Sequence, residues 1–283
     1  MLVNTQEMLK KAQREGYAVG AFNVENMEMA MAVISAAEEM KSPVIIQTTP
    51  GTIKYASVEL YLANVAALAK QVSVPVAMHL DHGNSYELAS KAFRAGYTSI
   101  MIDGSHEAFD ENVAISAKVV EFCKPNNVSV EAELGRVGGK EDDLEVAEGN
   151  PYTDPEEARL FVERTNVDSL AIGVGTSHGV YTGPIVVSTQ TVADIAKVVS
   201  VQLVLHGTSG VPDETVKECV KNGICKVNYA TDLRIAFTKG VKEYMAENPN
   251  AFDPKKYNAL GMKYVSDYVK QKMEVVGSVN KAL

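Results

Sequence analysis

Cysteine is scarce in this chain of 283 residues: Cys123, Cys219 and Cys225 are its whole complement. They form no CxxC pair and leave one thiol over. A disulfide framework is therefore excluded, and reduced, partly buried thiols in a cytoplasmic protein are expected. No apolar run approaches the roughly 20 residues of a membrane span. The N-terminal stretch MLVNTQEMLKKAQREG lacks a hydrophobic signal core and reads as an amphipathic helix. Basic residues number 27 against 36 acidic ones, a net charge of −9. A general nucleic-acid or membrane surface is not expected, although local basic groups can still bind phosphates. A GK[ST] phosphate loop is missing, as are linkers, repeats and low-complexity tracts. One domain over residues 1–283 is the expectation.

What is present is a recurrent alternation. Eight short apolar or β-branched runs stand at AVGAFN (18–23), PVIIQT (43–48), PVAMHL (75–80), TSIMI (98–102), VSVEAEL (128–134), SLAIGV (169–174), VQLVLH (201–206) and ICKVN (224–228). Helix-like stretches such as MEMAMAVISAAEEM and PEEARLFVERT lie between them. Glycines end helices at Gly96 and Gly223, and Pro43 and Pro75 open strands. Eight near-continuously apolar strands alternating with helices predict a parallel (β/α)8 barrel, the TIM-barrel architecture. Residues 229–283 read as additional C-terminal helices with a loop at ENPNAFDP. The rival, an open doubly wound sheet, would carry a glycine fingerprint after its first strand, and AFNVENMEM has none.

In such a barrel, chemistry sits at the C-terminal strand ends. There the sequence places Asn23, Thr49, Asp81 with His82, Asp103, Glu133, the Thr176-Ser177-His178 loop, His206 and Asn228. Only five histidines occur, and His82, His178 and His206 each follow a different strand. Three scattered imidazoles gathered by a fold match a catalytic zinc with an open fourth position. His79 lies inside its strand and reads as packed or hydrogen-bonded. His106 fits either a supporting position or the surface. Asp81 suits proton exchange with a substrate oxygen, or support of a ligand histidine. Glu131 and Glu133 share one strand face, and acids pointing into a barrel require a metal or a hydrogen-bonded network. The Gly138-Gly139 pair suggests a mobile segment able to bring Glu141 over substrate, although KEDD reads equally as a solvated acidic loop. Gly207-Thr208-Ser209-Gly210 and Asn228-Tyr229-Ala230-Thr231 follow strands seven and eight, a usual place for phosphate. These residues together predict a zinc enzyme acting on a small phosphorylated substrate. Spacing leaves open whether the metal polarises a carbonyl or activates water.

The stretches GYAVGAFNVEN, SPVIIQTTPGT, HLDHG, SIMIDGSH, VSVEAELGRVGGKEDD, DSLAIGVGTSHGVY, LVLHGTSG and GICKVNYATDLRIAF resemble, in order and over nearly the whole chain, the class II zinc-dependent ketose-bisphosphate aldolases. The resemblance implies reversible cleavage of a ketohexose 1,6-bisphosphate to dihydroxyacetone phosphate and glyceraldehyde 3-phosphate, in a homodimer or homotetramer, with a partner subunit conceivable. It implies His82, His178 and His206 as zinc ligands, Asp81 as acid/base at the C4 oxygen and Glu141 as the loop residue moving the proton on the dihydroxyacetone carbon. Asp103 and Glu133 match positions that hold a second divalent metal or alternative zinc positions. Gly179, Gly207, Thr208, Ser209, Asn228, Ala230 and Thr231 match the dihydroxyacetone-phosphate pocket, whose loops can also hold a monovalent cation. Asn23 and Thr49 match positions beside the sugar chain. TTPGTIKY and GICKVNYATDLRIAF look like tagatose-bisphosphate aldolases, whereas HLDHGNSYE looks like the short fructose-bisphosphate type; tagatose is slightly favoured. An alternative is an aldolase for another phosphorylated keto-sugar, or a non-catalytic sugar-phosphate-binding barrel subunit. One departure is Asp253-Pro254-Lys255, where the family commonly has Asp-Pro-Arg with the arginine near the distal phosphate. Lys255 keeps the charge and loses the planar fork.

Overall fold

The computed structural model describes residues 2–135, 137–141, 144–146, 151–181 and 183–282; for residues 140, 141 and 144–146 it describes the backbone alone. The strands are β1 (Val19–Asn23), β2 (Val44–Thr48), β3 (Val76–Gly83), β4 (Ser99–Ile102) and β5 (Ser129–Leu134), then β6 (Gly138–Glu141) and β7 (Leu144–Val146) in the following loop. They continue with β8 (Ser169–Ile172), the two-residue β9 (Ser177–His178), β10 (Gln202–Leu205) and β11 (Ile224–Tyr229). Eight of them close a barrel in the order β1-β11-β10-β8-β5-β4-β3-β2, and every neighbouring pair is parallel. Each of the eight expected runs supplies one barrel strand, and helices Thr231–Glu247 and Pro254–Val275 follow the last.

Local chemistry explains the helices. Asn26 caps helix Met27–Met40 by accepting from the Met29 N–H at 2.9 Å, and Asp154 accepts from the Glu156 and Glu157 N–H groups ahead of helix Pro155–Thr165. Helix Tyr86–Ala95 stops at Gly96, whose φ of 110° is a conformation glycine adopts without a side-chain clash. Strand alternation divides the core. Along β5, Val130, Ala132 and Leu134 enter the apolar layer between barrel and helices, so Ser129, Glu131 and Glu133 face inward. A smaller cluster closes the barrel floor, where helix Gln6–Glu15 presses Met8, Leu9 and Ala12 against Val19, Ala21, Ile45 and Ala77. The two C-terminal helices approach closely at Gly240, where an added Cβ would stand 2.6 Å from the Leu260 carbonyl oxygen.

Two features differ from the expected pattern. β3 runs three residues past Leu80, carrying Asp81 and His82 within the strand. Its register against β4 shifts between Leu80 and Gly83, and His82 takes a φ of 50°. A bulge of this kind re-aims side chains, and its polar residues interrupt the hydrophobic signal by which strands are read. The loops also contain a small sheet, with β6 antiparallel to β7 and parallel to β9. It ties the segment after β5 to the segment carrying His178. Among the described residues, no helix is long and apolar enough to cross a membrane.

Candidate active site

The C-terminal strand ends bring three imidazoles together. His82 comes from β3, His178 from β9 and His206 from the residue after β10; one ring nitrogen of each lies within 4.8 Å of the others. The rings meet edge to face, with His82 centred 4.9 Å from His178 and 4.8 Å from His206. His206 is fully buried and His82 is 7% exposed. A non-glycine residue at positive φ, such as His82, is a strained conformation that surrounding structure must hold.

Two carboxylates decide which nitrogens face the centre. His82 Nδ1 lies 2.8 Å from Asp103 Oδ2, and His206 Nε2 lies 3.0 Å from Glu131 Oε1. Burial pushes both acids up, but His82 pulls Asp103 well below the usual carboxylate range, and Lys226 with His206 does the same to Glu131. Both are therefore ionised acceptors, and each histidine donates to its carboxylate. With both rings neutral, as metal ligands must be, that leaves a lone pair on His82 Nε2 and another on His206 Nδ1, facing each other at 3.0 Å. Burial also lowers the His206 pKa, against the pull of Glu131, so the ring is neutral. Two opposed lone pairs repel unless a cation lies between them. Two nitrogens on one tetrahedral zinc stand about 3.3 Å apart, close to the spacing here. Glu133 adds an acceptor: its Oε2 is buried, makes no hydrogen bond among the described residues and lies 3.5 Å from His206 Nδ1. Burial, then the charge of Asp103, pushes its pKa well above the usual value, against the pull of His82. The donor set thus fits a zinc ion. His82, Asp103 and Glu133 form a second, overlapping group with ligand atoms within the same 4.8 Å limit.

Asp81 lies beside this cluster, 1% exposed. The Asn23 amide donates to its Oδ2 at 2.8 Å and the Asn228 amide to its Oδ1 at 3.1 Å. Gln47 donates to Asn23 Oδ1 at 2.7 Å, which turns the Asn23 NH2 toward the carboxylate. Asp81 is thereby fixed in place with both oxygens turned to neutral donors.

A cleft opens next to Asp81 and His178, walled by Asn23 and Asn228. Gly179, Gly207, Thr208, Ser209, Ala230 and Thr231 line its other side. These are the phosphate-pocket residues expected from sequence, and the structure brings them to one wall. Gly207 has a φ of 64°, and a Cβ there would meet the Ser177 backbone at 2.7 Å. Tyr181 locks the two loops: its hydroxyl accepts from the Ser177 N–H and donates to the Gly207 carbonyl oxygen, both at 2.7 Å. Thr208 donates to the Asn228 carbonyl oxygen. Helix Thr231–Glu247 begins at this wall, so its positive dipole end favours an anion there.

Other expected residues stand elsewhere. Thr49 is buried as the cap of helix Pro50–Ala56, 3.0 Å from the Thr52 hydroxyl, and does not line the cleft. Lys255 is 90% exposed, 3.4 Å from Asp253, and does not line it either. Glu141 ends β6, but its side chain lies outside the described residues, as do Asp142 and Asp143. His79 is buried with Nδ1 2.7 Å from Ser99 Oγ, and His106 is exposed. Sequence reading passed over Gln47, Tyr181, Lys226 and Arg234. Arg234 lines the cleft and pairs with Glu25 at 2.6 Å. Inward parity was the available signal for Lys226, which precedes the inward Asn228 by two positions on β11.

The family described as fructose-bisphosphate aldolase class-II matches residues 3–281. The chain is similar to the YdjI aldolase from Escherichia coli K12, with 37% identity, a TM-score of 0.90 and complete coverage of both chains. It is also similar to the fructose-bisphosphate aldolase of Campylobacter jejuni, with 25% identity, a TM-score of 0.86, and coverage of 99% of this chain and 97% of that one.

Proposed function

Since the chain belongs to the class II fructose-bisphosphate aldolase family, we propose that it reversibly cleaves a ketohexose 1,6-bisphosphate to dihydroxyacetone phosphate and glyceraldehyde 3-phosphate. Tagatose 1,6-bisphosphate is slightly favoured over fructose 1,6-bisphosphate. The observation that carries this reading is the approach of His82 Nε2 and His206 Nδ1 to 3.0 Å beside a clamped, buried Asp81. His82, His178 and His206 would hold a zinc ion, which when bound would supply Lewis acidity toward the C2 carbonyl.

The remaining steps belong to side chains. The backbone N–H groups around Gly207, Ser209 and Thr231 hold the C1 phosphate at the helix N-terminus. Asp81 takes the proton of the C4 hydroxyl while the C3–C4 bond breaks and C4 becomes the aldehyde carbon. The electron pair of that bond stays on C3, conjugated with C2. After glyceraldehyde 3-phosphate departs, Glu141 returns a proton to C3 and dihydroxyacetone phosphate leaves. Asn23 and Asn228 orient Asp81 throughout, so the base needs no reorganisation as charge moves.

Lys255 favours a second reading, an aldolase for another phosphorylated keto-sugar. It replaces the family's distal-phosphate arginine and lies outside the cleft of this chain. Steady-state kinetics on tagatose and fructose 1,6-bisphosphates, run in parallel on zinc-loaded protein, test both readings. Cleavage of tagatose bisphosphate with the higher kcat/KM is the expected result. Failure to cleave either bisphosphate, with cleavage of a ketose 1-phosphate, would establish the second reading instead.

A further inference from the structure

Beneath the rim, the barrel interior contains an ion pair that the proposed chemistry leaves without a task. Lys226 is fully buried on β11, and its Nζ donates to both oxygens of Glu131 on β5, at 3.0 and 2.8 Å. Its third neighbour is His79 Nε2 at 3.4 Å. Each ammonium hydrogen therefore has an acceptor. Glu131 Oε1 accepts in turn from His206 Nε2. Ion pairs of this kind are often no more stabilising than apolar residues of equal volume, so stability alone is a weak reason for a charged pair here.

The direction of the network gives a better reason. An ammonium only donates, so Glu131 only accepts, and His206 directs its Nε2–H downward and its Nδ1 lone pair toward His82. On the other side, His79 accepts at Nε2 and donates from Nδ1 to Ser99 Oγ at 2.7 Å. Ser99 Oγ lies 3.2 Å from Thr5 Oγ1, which lies 2.6 Å from Ser129 Oγ. Thr5 precedes the helix that closes the barrel floor. The carboxylate beside His206 is thus located from the floor upward, independently of the histidine it serves.

We infer that Lys226 is a positioning residue of the metal centre: by holding the Glu131 carboxylate against His206, it fixes the orientation and tautomer of that ligand and strengthens its hold on the cation. The inference deepens the reading of His82, His178 and His206 as zinc ligands and rests on it. Lys226 belongs neither to the cleft lining nor to the imidazole cluster.

The test measures zinc affinity of the stripped, full-length protein by competition with a chromogenic chelator, together with the Tm of the metal-free form. Wild type, Lys226→Met and Lys226→Met/Glu131→Gln are compared. Lys226→Met is expected to raise the zinc Kd about ten- to a hundredfold, the usual scale for partners of ligand histidines. It also lowers the metal-free Tm, because Glu131 is left charged and unpaired. In the double variant no lone charge remains, and the amide oxygen that replaces the carboxylate still accepts from His206, so Tm recovers while the raised Kd persists. A Kd within twofold of wild type in either variant overturns the inference, as does a Kd that recovers together with Tm. If Lys226→Met does not fold, the double variant decides. Wild-type protein that binds no zinc overturns the metal reading and this inference with it; tight wild-type binding beside equal binding by the variants overturns this inference alone.

Discussion

Asp81→Asn separates chemistry from structure at this site. The carboxylate accepts two amide hydrogens, from Asn23 at 2.8 Å and Asn228 at 3.1 Å. An asparagine keeps one acceptor and turns the other into a donor facing a donor. An opposed buried donor costs about 1–3 kcal/mol. Relief is at hand, because Asn228 Oδ1 has no hydrogen-bond partner among the described residues. Turning the Asn228 amide presents that oxygen to the new NH2 and restores the pair. The net destabilisation is therefore expected at or below about 1 kcal/mol, roughly 2–4 °C in Tm for a chain of this size. Zinc content should be unchanged, since Asp81 is outside the imidazole cluster. The base, however, is gone, and kcat for bisphosphate cleavage should fall about a hundredfold or more, at least ~2.7 kcal/mol of barrier. The assay pairs steady-state cleavage with metal analysis and thermal unfolding of the same preparation. A variant with wild-type kcat would refute the role of Asp81 as acid/base, and one that loses its zinc would make that role structural.

Three further outcomes follow from the same geometry. Glu141→Ala should chiefly slow hydrogen exchange on dihydroxyacetone phosphate, measured by NMR in deuterated water; unchanged exchange would remove Glu141 from the proton return. Arg234→Ala should raise KM for the bisphosphate several-fold with little change in zinc content, because Arg234 lines the cleft; an unaltered KM would place it outside the substrate's reach. In metal-free protein, burial, chiefly, holds His79 and His206 below their ordinary value of 6.5. At these two groups the unfolded chain binds more protons below that pH, so their contribution to stability is fully present above about 6.5 and declines as pH falls toward 5, by up to ~1.4 kcal/mol per unit for each group, while Glu133, raised by burial, acts in the opposite sense. Urea midpoints of wild type and His79→Asn, compared across this range, should diverge, with wild type losing more stability relative to the variant as pH falls; an equal slope in the two would mean that His79 is not the group being protonated.

The sequence carried the barrel because its strands are apolar on their outer face and separated by capped helices, signals that survive in one dimension. The zinc-ligand candidates were legible as rare histidines at strand ends. Less legible were residues whose role depends on the opposite wall. Lys226 sits in the run ICKVN, where neighbouring apolar residues mask a lysine that faces inward, and only closure of the barrel brings it to Glu131. Gln47 is hidden likewise in PVIIQT, and it acts on Asp81 only through Asn23. Asp103 was read for a second metal, and its contact with His82 Nδ1 shows an orienting hydrogen bond that spacing does not reveal. Thr49 was placed by position at a strand end, whereas the chain turns there directly into a helix and uses the hydroxyl as its cap.

The central claim is that cleavage depends on a cation held by His82, His178 and His206. The most direct measurement is the rate of ketose bisphosphate cleavage by the wild-type protein before metal stripping, after it and after zinc is restored. The account requires activity to vanish on chelation and return with about one zinc per chain, in step with occupancy. Full activity in metal-free protein, above all with a borohydride-trappable lysine adduct of the substrate, would contradict it.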